Sequence, residues 1–143
     1  MGAKNNISGQ WFGYFSYGID YGPKLYDERV VFSLIIEELI DKKFKGTCIE
    51  IEGIGASTEV SKIEGSLIDS FITFKKEYPT NYEIDDKGNE IEILEPITHE
   101  LVYMGVFNQD TNCYIGTWEI TKLDYTCTGK WEMSRDRFKY GIK

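Results

Sequence analysis

Seven times in this chain a glycine stands between two apolar residues placed two positions away on either side. The units are Ile7/Gly9/Trp11, Trp11/Gly13/Phe15, Phe44/Gly46/Cys48, Ile63/Gly65/Leu67, Tyr103/Gly105/Phe107, Tyr114/Gly116/Trp118 and Cys127/Gly129/Trp131. Residues at i−2, i and i+2 share one face of a strand. Each unit therefore offers a bulky side chain, a gap and a second bulky side chain to the same side. Glycine weakens an ordinary strand, but on the face that carries the large apolar residues it lets a coiled strand bend or leaves room for a side chain from across the core. That pattern suits a closed barrel better than a flat sheet.

Period-two alternation places strands near Gly9 to Tyr17, Arg29 to Ile36, Lys43 to Glu52, Val60 to Ile68, Ser70 to Tyr78, Leu101 to Asn108, Asn112 to Leu123 and Cys127 to Arg135. An aromatic fraction of 15% agrees with strands, because aromatic rings pack well on a pleated face. Most of the connections are too short for a parallel crossover, so consecutive strands are expected to be antiparallel neighbours. The expected fold is all-β: a single eight-stranded antiparallel up-and-down meander that closes into a barrel over residues 1–143. An interior of that size holds side chains or one small ligand. Ser33 to Ile40 also fits helical spacing, and we read it as strand through Ile36 followed by a turn. Residues 80–96 read as a small protruding hairpin with a loop over Asp85 to Asn89, an insertion placed to act as a lid.

With the glycine parity facing inward, the lumen receives mostly apolar side chains. The polar exceptions are Glu50, Lys76 and Arg135, with the hydroxyls of Tyr17, Tyr78, Tyr103 and Tyr114. Buried charges pair or fall neutral, so a Glu50–Lys76 contact is expected, or exposure of both at a barrel mouth. A β-bulge in the third strand would turn Glu50 outward. Tyr17, Glu50, Lys76, Tyr78, Tyr103, Tyr114, Trp118 and Trp131 are the expected ligand-binding residues, since an aromatic cavity with a few convergent polar groups is the usual form of a small-molecule site. The outward parity has an apolar surplus in Phe12, Tyr14, Val31, Ile35, Ile49, Ile51, Met104, Val106 and Ile115. Contiguous apolar patches mark interfaces, so a homodimer or larger assembly is expected.

Gly9-Gln10-Trp11 on the first strand resembles the GxW motif of the calycin barrels, the superfamily of lipocalins, fatty-acid-binding proteins and avidins. Phe44 to Gly46, Ile72 to Tyr78 (Ile-x-Phe-x-Lys-x-Tyr), Tyr103 to Gly105 and Ile115 to Trp118 are similar to patterns in compact bacterial calycin-like proteins of unassigned role. In lipocalins an arginine from the last strand packs over the motif tryptophan and closes the base. The resemblance therefore implies that Trp11 and Arg135 form that closure here. Leu123-Asp124-Tyr125 echoes the lipocalin threonine-aspartate-tyrosine motif only in part, and avidin's biotin contacts do not align onto this chain.

Charge and motif content exclude other classes. With 24 Asp+Glu against 16 Lys+Arg the formal charge is −8, and no basic run exceeds Lys42-Lys43 or Lys75-Lys76. Nucleic acid and anionic membrane are therefore not expected partners. No P-loop, dinucleotide fingerprint, Ser/His/Asp order or metal-ligand spacing occurs, so no cofactor, metal or catalytic set is assigned. The sole histidine, His99, reads as a solvated loop residue. Cys48, Cys113 and Cys127 read as small buried apolar residues of a reducing compartment, and the chain as cytoplasmic. The expected function is non-enzymatic binding of a small apolar or aromatic molecule in the lumen. The alternatives are a protein-interaction module with a filled lumen, and an isomerase or cyclase that uses the interior as a desolvated chamber.

Overall fold

The computed structural model describes residues 7–57, 59–78, 82–84, 87–88, 90–92, 100–121 and 126–142, with backbone alone at 82–84, 90–92 and 100. Among the described residues there are ten strands: β1 (Gly9–Tyr17), β2 (Arg29–Glu38), β3 (Lys43–Glu52), β4 (Ser61–Ile68), β5 (Phe71–Glu77), β6 (Tyr82–Ile84), β7 (Glu90–Glu92), β8 (Glu100–Asn108), β9 (Cys113–Thr121) and β10 (Thr126–Ser134). Eight of them close into one barrel in the order β1-β10-β9-β8-β5-β4-β3-β2, every neighbour antiparallel, while β6 and β7 pair as a separate hairpin. β1 lies between β10 and β2, so no barrel edge is left open. The meander expected from the sequence is the observed topology. Ser33 to Ile40 is strand as far as Glu38, because β2 is paired along both sides and that ladder outweighs local helical spacing.

The glycines make room for rings on adjacent strands. Gly129 pairs with Trp118, whose indole lies across it and donates its Nε1–H to Ser16 O at 3.0 Å. Gly116 pairs with Trp131 on one side and Gly105 on the other, and the Trp131 indole donates to Met104 O at 3.0 Å and Thr117 O at 3.1 Å. Trp11 donates to Ile7 O at 2.8 Å. All three indole N–H groups are thus satisfied inside the barrel, as burial requires. Phe74 stacks on Tyr103 at 4.7 Å and meets Trp131 edge-on at 5.5 Å, which fills the middle of the lumen with rings.

The two ends differ. At the base, Trp11 meets Tyr114 at 5.4 Å, Tyr114 meets Phe107 at 5.0 Å, and Arg135 Cζ lies 4.1 Å from the centre of the Trp11 ring. At the opposite end, the mouth, Tyr17, Tyr21 and Trp118 cluster under the β1–β2 connection, whose Leu25 is buried. Cys48, Cys113 and Cys127 are buried and not joined in disulfides.

The outer wall corrects part of the expected patch. Ile35, Ile49, Ile51, Val106 and Ile115 are exposed, but Phe12 is buried and Tyr14 half-buried. A C-terminal 3-10 turn, Arg137–Tyr140, packs on β1 and covers them. Tyr140 reaches Tyr14 at 6.0 Å and donates to Glu132 Oε2 at 2.9 Å, while Arg29 Cζ sits 4.1 Å over the Tyr14 ring. Sequence periodicity reports which wall a residue faces; it does not report what later chain folds over it.

Candidate functional site

Among the described residues, the buried charged side chains, Glu50 and Lys76, form one cluster on the mouth side of the aromatic layer. Glu50 on β3 and Lys76 on β5 project inward from strands separated by β4, and Lys76 Nζ stands 2.7 Å from Glu50 Oε2 with each side chain 1% exposed. Glu50 faces inward because the bulge in β3 falls just beyond it. Phe32 pairs with Glu50 and Val31 with Glu52, which leaves Ile51 as the extra residue. The carboxylate is fully engaged. Ser57 N donates to Oε1 at 2.8 Å, and Lys76 and the Tyr78 hydroxyl both donate to Oε2.

The ammonium also sits among rings. Its Nζ is 4.9 Å from the centres of Phe15 and Tyr78 and 5.8 Å from that of Tyr103, within the range of cation–π attraction. Burial by itself pulls a lysine down. Here the Glu50 carboxylate, with the polar side chains around the ammonium, outweighs burial and holds Lys76 well above its ordinary range. Burial pushes the Cys48 thiol up, so it stays neutral and Glu50 is the charge that keeps Lys76 protonated. Burial likewise raises the phenols of Tyr78 and Tyr103, against the pull of Lys76 and with the help of Glu50. Near neutral pH, Lys76, Tyr78, Tyr103 and Cys48 all keep their protons. The arrangement holds polar atoms in place and offers no deprotonated lysine or thiolate to attack a substrate.

Above the cluster lies the β3–β4 connection. Gly53 and Gly55 both have positive φ, 132° and 82°, and flank Ile54. Tyr17 Oη donates to Ile54 O at 2.8 Å, and Ser57 closes the loop onto Glu50. Gly88, between β6 and β7, lies against Ile54 and Leu25: a Cβ placed on it would meet Ile54 Cγ2 at 2.5 Å.

Of the residues expected at a ligand site, the structure brings together Glu50, Lys76, Tyr78 and Tyr103, with Tyr17 and Trp118 beside them through Phe15. Tyr114 is separated from them, at the base between Trp11 and Phe107. Trp131 lies in the ring layer with its N–H bound to backbone. Sequence reasoning missed the Ser57 amide, since a backbone donor has no residue signature, although the Gly-x-Gly at 53–55 marks where backbone approaches the core. His99 and Leu123-Asp124-Tyr125 lie outside the described residues, as does part of 80–96.

No family model matches the chain, and no curated protein matches it. Among solved structures it is similar to a redesigned beta barrel, mFAP1, bound to DFHBI. The TM-score is 0.57, with 9% identity, over 90% of this chain and 94% of that one. At that identity the likeness shows a shared closed-barrel fold.

Proposed function

We propose that this barrel binds one small aromatic or apolar molecule at the mouth end of its lumen and performs no chemistry on it. The observation that carries the reading is the buried Glu50–Lys76 pair with Tyr78 and Ser57. The barrel does not need it to fold, because apolar residues of similar volume serve a core equally well or better than a buried ion pair. Convergent polar groups beside aromatic walls are what a small-molecule site requires. The neighbouring designed barrel, solved with DFHBI, shows that this architecture accommodates such a ligand in that protein. Acids that keep their protons suit binding better than proton transfer, which favours this reading over an isomerase or cyclase.

In this proposal the 53–57 connection opens to admit the ligand, and the paired β6 and β7, with Gly88 against Ile54, cover it. We also read the barrel as calycin-like, cytoplasmic, and closed at its base by Arg135 over Trp11. Titration with the neutral fluorophore N-phenyl-1-naphthylamine tests the reading. Saturable one-to-one binding that quenches tryptophan emission is expected, and a linear, non-saturating response would overturn it.

A second proposal concerns the outer wall. Ile68, Phe71, Val106 and Ile115 are direct cross-strand partners in one exposed apolar row over β4, β5, β8 and β9. Two copies pairing through this row would bury it. Sedimentation at micromolar concentration should then show a dimer that Phe71→Glu dissociates; a monomeric wild type would end the proposal.

A further inference from the structure

The site's charge balance restricts what it takes. We infer that the lumen ligand is an electrically neutral aromatic that carries one hydrogen-bonding group, such as a phenol, rather than an aromatic acid or amine. The inference deepens the binding reading above and rests on it.

The cluster holds one carboxylate and one ammonium, each side chain 1% exposed and 2.7 Å apart, so its formal charge is zero before any ligand arrives. A ligand anion would leave one negative charge uncompensated in a dry lumen, and a ligand cation one positive charge. Either is costly where water is excluded. The chain's net charge of −8 sets a field that further opposes an anion. A wholly apolar ligand fails in a different way. When the 53–57 connection opens, Ser57 N leaves Glu50 Oε1, and a ligand without a donor would leave that oxygen buried and unpaired. A phenolic hydroxyl repairs this by donating to Oε1 in place of Ser57 N, while its ring packs against Phe15 and Tyr103, which already flank Lys76. One added donor and no added charge is the stoichiometry that the cluster accepts.

Three probes of one ring system separate the possibilities near neutral pH: 2-naphthol (neutral, with a donor), 2-naphthoate (anionic) and naphthalene (apolar), each titrated calorimetrically into the wild-type protein. We expect 2-naphthol to bind about tenfold or more tighter than either of the others, the scale set by one unpaired buried group. Naphthoate binding as tightly as naphthol, or naphthalene doing so, would overturn the inference while leaving the binding reading intact. Binding of none of the three would remove both. The variant Glu50→Gln provides an internal reversal. It keeps an acceptor but leaves Lys76 unbalanced, so its preference should turn toward naphthoate, and an unchanged order in folded Glu50→Gln protein counts against the charge argument. Should that variant fail to fold, the wild-type comparison decides alone.

Discussion

Gly105 and Gly116 face each other across the β8–β9 ladder, and the indole of Trp131 lies over the gap they leave. A Cβ at Gly105 would stand 2.8 Å from Trp131 Cζ2 and 2.6 Å from Ile115 O. Gly105→Ala should therefore destabilise the barrel by about 1–3 kcal/mol, the cost of overpacking, although alanine is ordinarily the better strand residue. Urea melts check the sign. A neutral or stabilising Gly105→Ala would mean that the glycine serves curvature and not Trp131.

Breaking the Glu50–Lys76 pair should cost more than removing it. Lys76→Met leaves Glu50 buried without its counter-ion and is expected to lose about 3–5 kcal/mol, whereas Glu50→Leu with Lys76→Met should recover most of that loss. A double-mutant cycle on chemical denaturation measures the difference. Additive losses would show that the two groups act independently.

Stability should hold through neutral and mildly alkaline pH and fall above about pH 10. Lys76 lies above its ordinary 10.5 when folded, so it binds a proton that the unfolded chain releases first. Its contribution is complete below that value and is lost as pH rises toward the folded pKa. Tyr78 and Tyr103, raised above 10.0 by burial, act with the same sign, since the unfolded chain ionises while the native one does not. A spectrophotometric titration should show exposed tyrosines ionising first and the buried ones only as circular dichroism reports unfolding. Smooth ionisation of all 10 tyrosines before any loss of structure would contradict this.

At the base, Arg135 covers Trp11 and donates from Nη1 to Gln10 O at 3.2 Å. Arg135→Ala should cost about 1 kcal/mol, as an exposed cation–π contact does, and shift Trp11 emission to the red as water reaches its ring. Arg135→Lys keeps the charge and loses the planar stack, so it should recover only part of the stability. Melts of the two variants with tryptophan spectra test this; equal stability of both to wild type would leave Arg135 without a closing role.

Strand positions, antiparallel order and inward parity were legible from the chain alone, because period-two alternation and short connections leave few other ways to bury Phe32, Leu34 and Ile36 on one strand and Phe44 and Cys48 on the next. The inward parity of Glu50 and Lys76 left two outcomes, a contact or exposure of both at a barrel mouth, and the fold chose the buried contact. Other features needed the folded molecule. Whether Glu50 stayed inside depended on a bulge at Ile51, one residue beyond it. That choice depends on the ladder with β2 and not on Glu50 or its neighbours. Tyr114 shares the inward parity of Tyr103 yet lies at the opposite end from Lys76, since parity gives the face but strand tilt and register give the height. The cover over Phe12 and the Ser57 amide on Glu50 come from segments whose local sequence has no period. Periodic burial is a local property that a sequence carries openly, whereas contacts between distant segments exist only once the chain has closed on itself.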